Sequence, residues 1–453
     1  MPLPAQKSNL FSSYQTCPAK KVFSGQKGKN VVYYGFTTIF YGVSEGQTMK
    51  FLFYVFIFIF LSVSAAARTI TVDDDGPADF NSIQAAINDS NNADTIIAQP
   101  GLYEESIHFR GKNITLTSVN PANPSIVTAT TITGCVVFSG TEDANCTLAG
   151  FNIDQVIGVG PPMDSNGFPE PNYEPQSTHA SISHCILMGN IVFGGTVISM
   201  CDGTISNCLI ADNVPAPNVP VIGYTVEYCH GLIRNCTIVN NYWFGVGIRF
   251  LEGQTTLENC VIYSNKDHSQ VTVEPGATAN ILYTNIQGGL GAVQCWPDST
   301  VNWGPGNIDT DPCFVREGYW DFNEPWTLFE GDYRLQSEAG RWDPNSESWV
   351  IDANTSTCID AGNPGCETGS EPLPNGSRIN MGAFGGTPTA SKSPPDWRSI
   401  ADLTNDWVVD FNDLAVFVDY WLDSGNCIPA DLNRSRSADF ADFSIFAENW
   451  LWQ

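Results

Sequence analysis

The chain has 453 residues, enough for one extended domain and a small second one, and it carries 48 Asp and Glu against only 20 Lys and Arg. A net charge of −28 excludes a surface built for nucleic acid or anionic membrane, and an acidic glycan would approach it only with a bridging cation.

Residues 1–48 hold five lysines and one acid, Glu45, with no repeat. Met49 to Ala67, "MKFLFYVFIFIFLSVSAAA", has a basic start, an apolar run and a small-residue end, which predicts a signal peptide and a true start at Met49. The expected organisation is a leader over 1–67, a solenoid over 68–386, a linker over 387–400 and a small C-terminal domain over 401–453. Loss of the leader deletes six Lys and one Glu, so the secreted or cell-surface chain would carry −33 (14 − 47) and no membrane span. Export also permits disulfides among the 13 cysteines that follow Ala67.

After Asp79 and Phe80, "SIQAAIN" predicts a short helix with Ile83 and Ile87 on one side, placed to cover the open end of the solenoid. Asp73, Asp74 and Asp75 precede it as a solvated acidic run. A proline-rich excursion from about Asp154 to Ala180 carries Asp164, Phe168, Glu170, Tyr173 and Glu174.

The repeat begins at "ISHCILMGN" and continues through "ISNCLIADN", "IRNCTIVNN", "LENCVIYSN" and "ILYTNIQGG". Its anchors are Cys185, Cys208, Cys236, Cys260 and Thr284, and a period near two dozen residues marks a solenoid. Three apolar columns recur: Ile182, Ile205, Ile233, Leu257, Ile281; the anchors; and Leu187, Ile210, Ile238, Ile262, Ile286. The first column is three residues before the anchor, the wrong parity for one straight strand. The chain must therefore bend at His184, Asn207, Asn235 and Asn259, where asparagine tolerates a left-handed backbone. A second register around Gly203, Gly231, Gly253 and Gly276 is expected to point Ile198/Met200, Val226/Tyr228, Ile248/Phe250 and Val271/Val273 inward. Short strands joined by bends make a parallel β-helix, all-β in class. The four cysteine anchors would form a stack of inward free thiols, whereas Cys201 and Cys229, placed at a turn, are the disulfide candidates.

These Asn-Cys-x-Ile copies resemble the right-handed parallel β-helix of the pectate-lyase-like superfamily over roughly 69–386. The opening segment, with Gly101, Tyr103 and Glu105, is similar to that of pectinesterase-like members. The resemblance implies polysaccharide as partner or substrate, with a lyase or hydrolase as one outcome and a non-catalytic glycan-binding or structural protein as the other. Familiar polygalacturonase, pectate-lyase and pectinesterase signatures are missing. The outward column of the second register reads Ser199, Glu227, Arg249, Thr272, with Lys266-Asp267-His268 on the turn beyond. Lyases of this fold pair a basic residue with acidic neighbours, so Arg249 and Glu227 are the catalytic candidates. The same pair also describes an ordinary cross-strand ion pair.

The last sixty residues contain a second repeat, "ADLTNDWVVDFNDLAVFVDYWL" and "ADLNRSRSADFADFSIFAENWL", offset by 29. Oxygen-bearing residues at loop positions 1, 3, 5, 9 and 12 are Asp402, Thr404, Asp406, Asp410, Asp413 and Asp431, Asn433, Ser435, Asp439, Asp442. Position-7 carbonyls come from Val408 and Ser437. That spacing suits a calcium ion wrapped by a loop. The apolar columns Leu414/Phe443, Phe417/Phe446, Val418/Ala447, Trp421/Trp450 and Leu422/Leu451 predict an amphipathic helix after each loop. The pair resembles a degenerate type I dockerin, which implies calcium as cofactor and a cohesin-like protein or cell-surface scaffold as partner. Position 6, glycine in that pattern, is Trp407 here and Arg436 in the second copy. The first loop, with its four aspartates, is expected to be the better calcium site.

Overall fold

The computed structural model describes residues 67–160, 176–192, 196–217, 224–242, 246–265, 269–323 and 325–453. The expected leader and Met49 start, the aromatic and acidic residues of the excursion (Asp164 to Glu174), and Lys266 to His268 lie outside them. Among the described residues no helix is long and apolar enough to cross a membrane.

Short strands coil into three parallel sheets of ten, eight and eight strands. The first sheet runs from Thr69–Val72 to Thr300–Trp303. Within it Ile182, Ile205, Ile233, Leu257 and Ile281 stand in register, and all five are buried. The third apolar column, Leu187 to Ile286, stacks likewise in another sheet. Each such side chain withdrawn from water contributes about 1.5–3 kcal/mol of burial.

The bends fall where parity demanded. His184, Asn207, Asn235 and Asn259 have φ of 53°, 52°, 48° and 55°, and Tyr283 continues the series at 46°. The four anchor cysteines are fully buried and unbridged. Their thiols donate to backbone carbonyls, Cys236 to Arg234 at 3.3 Å and Cys260 to Glu258 at 3.3 Å. Thr284 fills the same column with the same bond, to Leu282 at 3.0 Å. The asparagines that end the repeat form a second ladder. Asn213 Nδ2 donates to Asn241 Oδ1 at 2.8 Å, and Asn241 Nδ2 to Asn265 Oδ1 at 2.9 Å, all three buried.

In the second register, two coils depart from the expected alternation. Met200 and Tyr228 are bends, with φ of 58° and 53°, so they turn away from the core and Tyr228 is exposed. That bend shifts the parity by one, sending Cys201 and Cys229 inward, where both are buried and free. The disulfide expected between them is absent for that reason. Phe250 and Val273 have no bend before them and point inward as expected.

The helix Ile83–Asp89 is capped by Ser82 and buries Ile83, Ala86 and Ile87 in the solenoid's own core. At the opposite end the chain leaves the coils and returns along the bends. Asn207 Nδ2 donates to the carbonyls of Ala383 and Gly385, Asn235 Nδ2 to that of Asn380, and Asn259 Oδ1 accepts from Asn363 N–H at 2.7 Å. Residues 387–400, read from composition as a linker, are fastened down. Ser391 Oγ donates to Leu335 O, Lys392 N–H to Gly340 O, and Arg398 and Ser399 are buried.

Two helices, Phe411–Asp419 and Phe440–Glu448, end the chain and pack through Phe417 and Phe446, 5.4 Å between ring centroids. Only part of each expected apolar face is buried. Val418, Leu422 and Leu451 are exposed, and so are Phe411 and Phe440 at the helix starts.

Candidate metal loops and the outward face of the solenoid

The outward column of the second sheet assembles as its register requires, Ser199 beside Glu227, Glu227 beside Arg249 and Arg249 beside Thr272. Arg249 Nη1 bonds Glu227 Oε1 at 2.9 Å, and its Nε bonds Glu274 Oε1 at 2.9 Å. The guanidinium lies 4.8 Å from the centre of the Tyr224 ring, and Thr196 Oγ1 donates to the other Glu227 oxygen. Partial burial disfavours the cation, but the hydrogen bonds to Glu274 and Glu227 outweigh it and hold the proton more tightly than usual. An arginine so held is an anchor more readily than a proton acceptor. Glu274 was missed from sequence although it stands two residues after Thr272, just past the end of the strand Val271–Val273 and in the same alternation.

At the C-terminus both loops fold on one plan. Position 4 (Asn405, Arg434) and position 6 (Trp407, Arg436) are left-handed, with φ of 62° and 57°, then 72° and 74°. Position 1 accepts from the backbone inside its own loop, Asp402 from Asp406 and Trp407 N–H, Asp431 from Ser435 and Arg436 N–H. Position 12 closes the loop, Asp413 accepting from Thr404 and Asp410, Asp442 from Asn433 and Asp439. Position 9 is spent differently, since Asp410 and Asp439 cap their helices through Asn412 and Ala441 N–H. Val408 N–H donates to Asp406 Oδ1, and Ser435 Oγ donates to the carbonyl of Ser437.

The first loop brings carboxylate oxygens of Asp402, Asp406 and Asp413 within 4.8 Å of one another. Oxygen donors converging on one point are the chemistry a hard cation requires, and Thr404 Oγ1 lies beside them, bonded to Asp413 Oδ1 at 3.0 Å. Burial pushes the Asp413 carboxyl above its usual range. A cation is already present in this loop: Arg398 Nη1 bonds Asp402 Oδ2 at 2.9 Å, with both side chains buried. The second loop offers Asp431, Asn433, Ser435, the Ser437 carbonyl and Asp442. Among the described residues no basic nitrogen lies within 4.0 Å of Asp431 or Asp442. Asp431 and Asp442 are both buried there, so a calcium ion held by these residues would supply an opposing charge.

The module is clamped to the solenoid's closing segment. Arg378, fully buried, donates to the carbonyls of Gly362 and Asp402 at 2.6 and 2.7 Å. Asn405 Nδ2 reaches Gly306 and Ala361, and Arg434 reaches Pro364 and Cys366. Cys366 and Cys427 form a disulfide. None of Arg378, Arg398 or this disulfide was singled out from sequence. The usable signal was the 29-residue offset carried four positions ahead of each loop, where Arg398 and Cys427 occupy equivalent places.

A family model described as right handed beta helix region matches residues 170–289, the part of the chain that holds the cysteine and asparagine ladders. No curated protein and no solved structure matches the chain. The matched segment and the three parallel sheets agree, and the solenoid is a right-handed parallel β-helix.

Proposed function

We propose that the protein is a secreted, polysaccharide-associated β-helix that holds a glycan chain on its outward face and is attached elsewhere by its C-terminal module. The observation that carries the binding half is Arg249, strung between Glu227 and Glu274 over the ring of Tyr224. Fixed donors and acceptors beside an aromatic ring suit a hydroxyl-rich chain, and the strong acidity favours a neutral glycan or a calcium-bridged polyuronate. The ion-paired state of Arg249 supports binding over proton abstraction, so a lyase or hydrolase is the second reading.

The attachment half draws on the C-terminal repeat. Phe411 and Phe440, 74% and 77% exposed, and Leu422 and Leu451, 69% and 63% exposed, occupy equivalent positions and present the same apolar groups twice. A cohesin-like or scaffold protein is the kind of partner such a face would take.

The test is retention of secreted protein on neutral and uronate polysaccharides, with and without calcium, alongside an assay for reducing ends and unsaturated products. Binding without product, weakened by Tyr224→Ala and by Arg249→Ala, is the expected result. Product formation that disappears in Arg249→Ala would move the reading to the enzyme, and failure to bind any glycan would end both.

A further inference from the structure

The two C-terminal loops share one backbone plan and differ in what stands four residues ahead of them, as well as at positions 3, 5 and 6. Ahead of Asp431 is Cys427, bonded to Cys366. Ahead of Asp402 is Arg398, and its side chain makes four separate contacts. Nη1 bonds Asp402 Oδ2 at 2.9 Å and Asn405 Oδ1 at 3.2 Å, and Nη2 bonds the Thr357 carbonyl at 3.4 Å. The guanidinium also lies 3.8 Å from the centre of the Trp407 ring.

This contact gives the tryptophan at position 6 a physical role. A glycine there would make the left-handed turn without strain, but it would leave the guanidinium uncovered. The indole accepts the strained backbone and supplies a ring face to a buried cation. In the second loop, Arg436 makes the same turn and is exposed.

We propose that Arg398 is the resident cation of the first loop, standing where calcium's charge would act on Asp402, so that calcium binding is left to the second loop. This rests on the reading of the repeats as calcium loops. A divalent ion brought to Asp402, Asp406 and Asp413 would face a guanidinium that is shielded from water and bonded to one of its own ligands. The repulsion between them is little screened at a buried site. In the second loop Arg434 acts on Asp431 electrostatically, but its guanidinium is bonded to the carbonyls of Pro364, Cys366 and Ser377 and pairs with no loop carboxylate. The same arginine ties the first loop to Thr357, and Asn405 ties it to Gly306 and Ala361, so docking of the first loop on the solenoid does not depend on metal.

The experiment is calcium titration of the full secreted chain by calorimetry, repeated with terbium luminescence. Wild type is expected to bind a single ion. Asp431→Asn should abolish binding, and Asp402→Asn should leave it in place. Arg398→Gln, which removes the charge, should expose a second site, while Arg398→Lys, which keeps it, should not. Chelator should leave the near-ultraviolet circular dichroism of the Trp397–Trp407 pair unchanged in wild type. That last measurement holds even should Arg398→Gln fold poorly. Two ions in wild type, or loss of binding in Asp402→Asn with retention in Asp431→Asn, would overturn the assignment to Arg398 alone. No ion in wild type or any variant would remove the calcium-loop reading together with it.

Discussion

Asn235 shows how much a single bend residue does. Its backbone is left-handed, its side-chain Nδ2 donates to the carbonyl of Asn380, and its Oδ1 accepts from Asn259 Nδ2. Asn235→Gly keeps the backbone freedom and loses the bonds, whereas Asn235→Ala loses both. Alanine is therefore expected to cost more than glycine by about 1–2 kcal/mol, the penalty of a left-handed alanine, as measured by denaturant unfolding. The thiol column gives a second residue-scale expectation. Burial pushes the thiols of Cys185, Cys208 and Cys236 well above their usual range, so almost no thiolate exists to react. Iodoacetamide should label exposed Cys295 first and leave Cys185, Cys208, Cys236 and Cys260 untouched until the chain unfolds. Rapid native labelling of the column, followed by mass spectrometry, would contradict this placement.

Among the elements, the closing segment carries two carboxyls that make it sensitive to pH. Glu371 Oε1 accepts from Asn380 and Gly386 N–H, yet burial pushes the carboxyl up to about 8, and burial pushes Asp360 up to about 6. Burial favours the protonated form of both acids. Their contribution is complete below the ordinary carboxylate range and is lost as pH rises through the raised values. The thermal midpoint should therefore fall between about pH 5 and about pH 9, and Glu371→Gln should flatten that fall. An unchanged slope in the variant would place the pH dependence elsewhere. Legibility differed among the elements for the same reason that local and long-range forces differ. The repeated coils were readable because Ile, Cys and Asn recur in columns, and the outward Glu227–Arg249 pair followed from that register. The parity shift at Met200 and Tyr228 was not, because neither residue type signals a left-handed bend. The partial exposure of each C-terminal apolar face was not legible either, because periodicity reports which side of a helix is apolar, and not whether a neighbour covers it. Arg378, Arg398, Asp360 and Glu371 act across sequence gaps that no local pattern spans.

At the scale of the whole molecule, solenoid and module are one construction. The Cys366–Cys427 bond closes a span of 61 residues, and removing it by a double serine substitution should lower stability by up to about 4 kcal/mol on chain-entropy grounds. The buried arginines should still hold the module in place, which limited proteolysis around residues 395–410 would check. Rapid cleavage there in the double variant would assign docking to the disulfide alone. The returning segment has a wider consequence. In a stack of coils each coil touches only its neighbours, so damage to one spreads weakly and stability behaves as a one-dimensional sum. Here a single strap runs back across the bends at Asn259, Asn235 and Asn207. Releasing any one of those coils means lifting the strap from the others. A structure whose sequence is written as independent repeats is thereby made to fail as a unit.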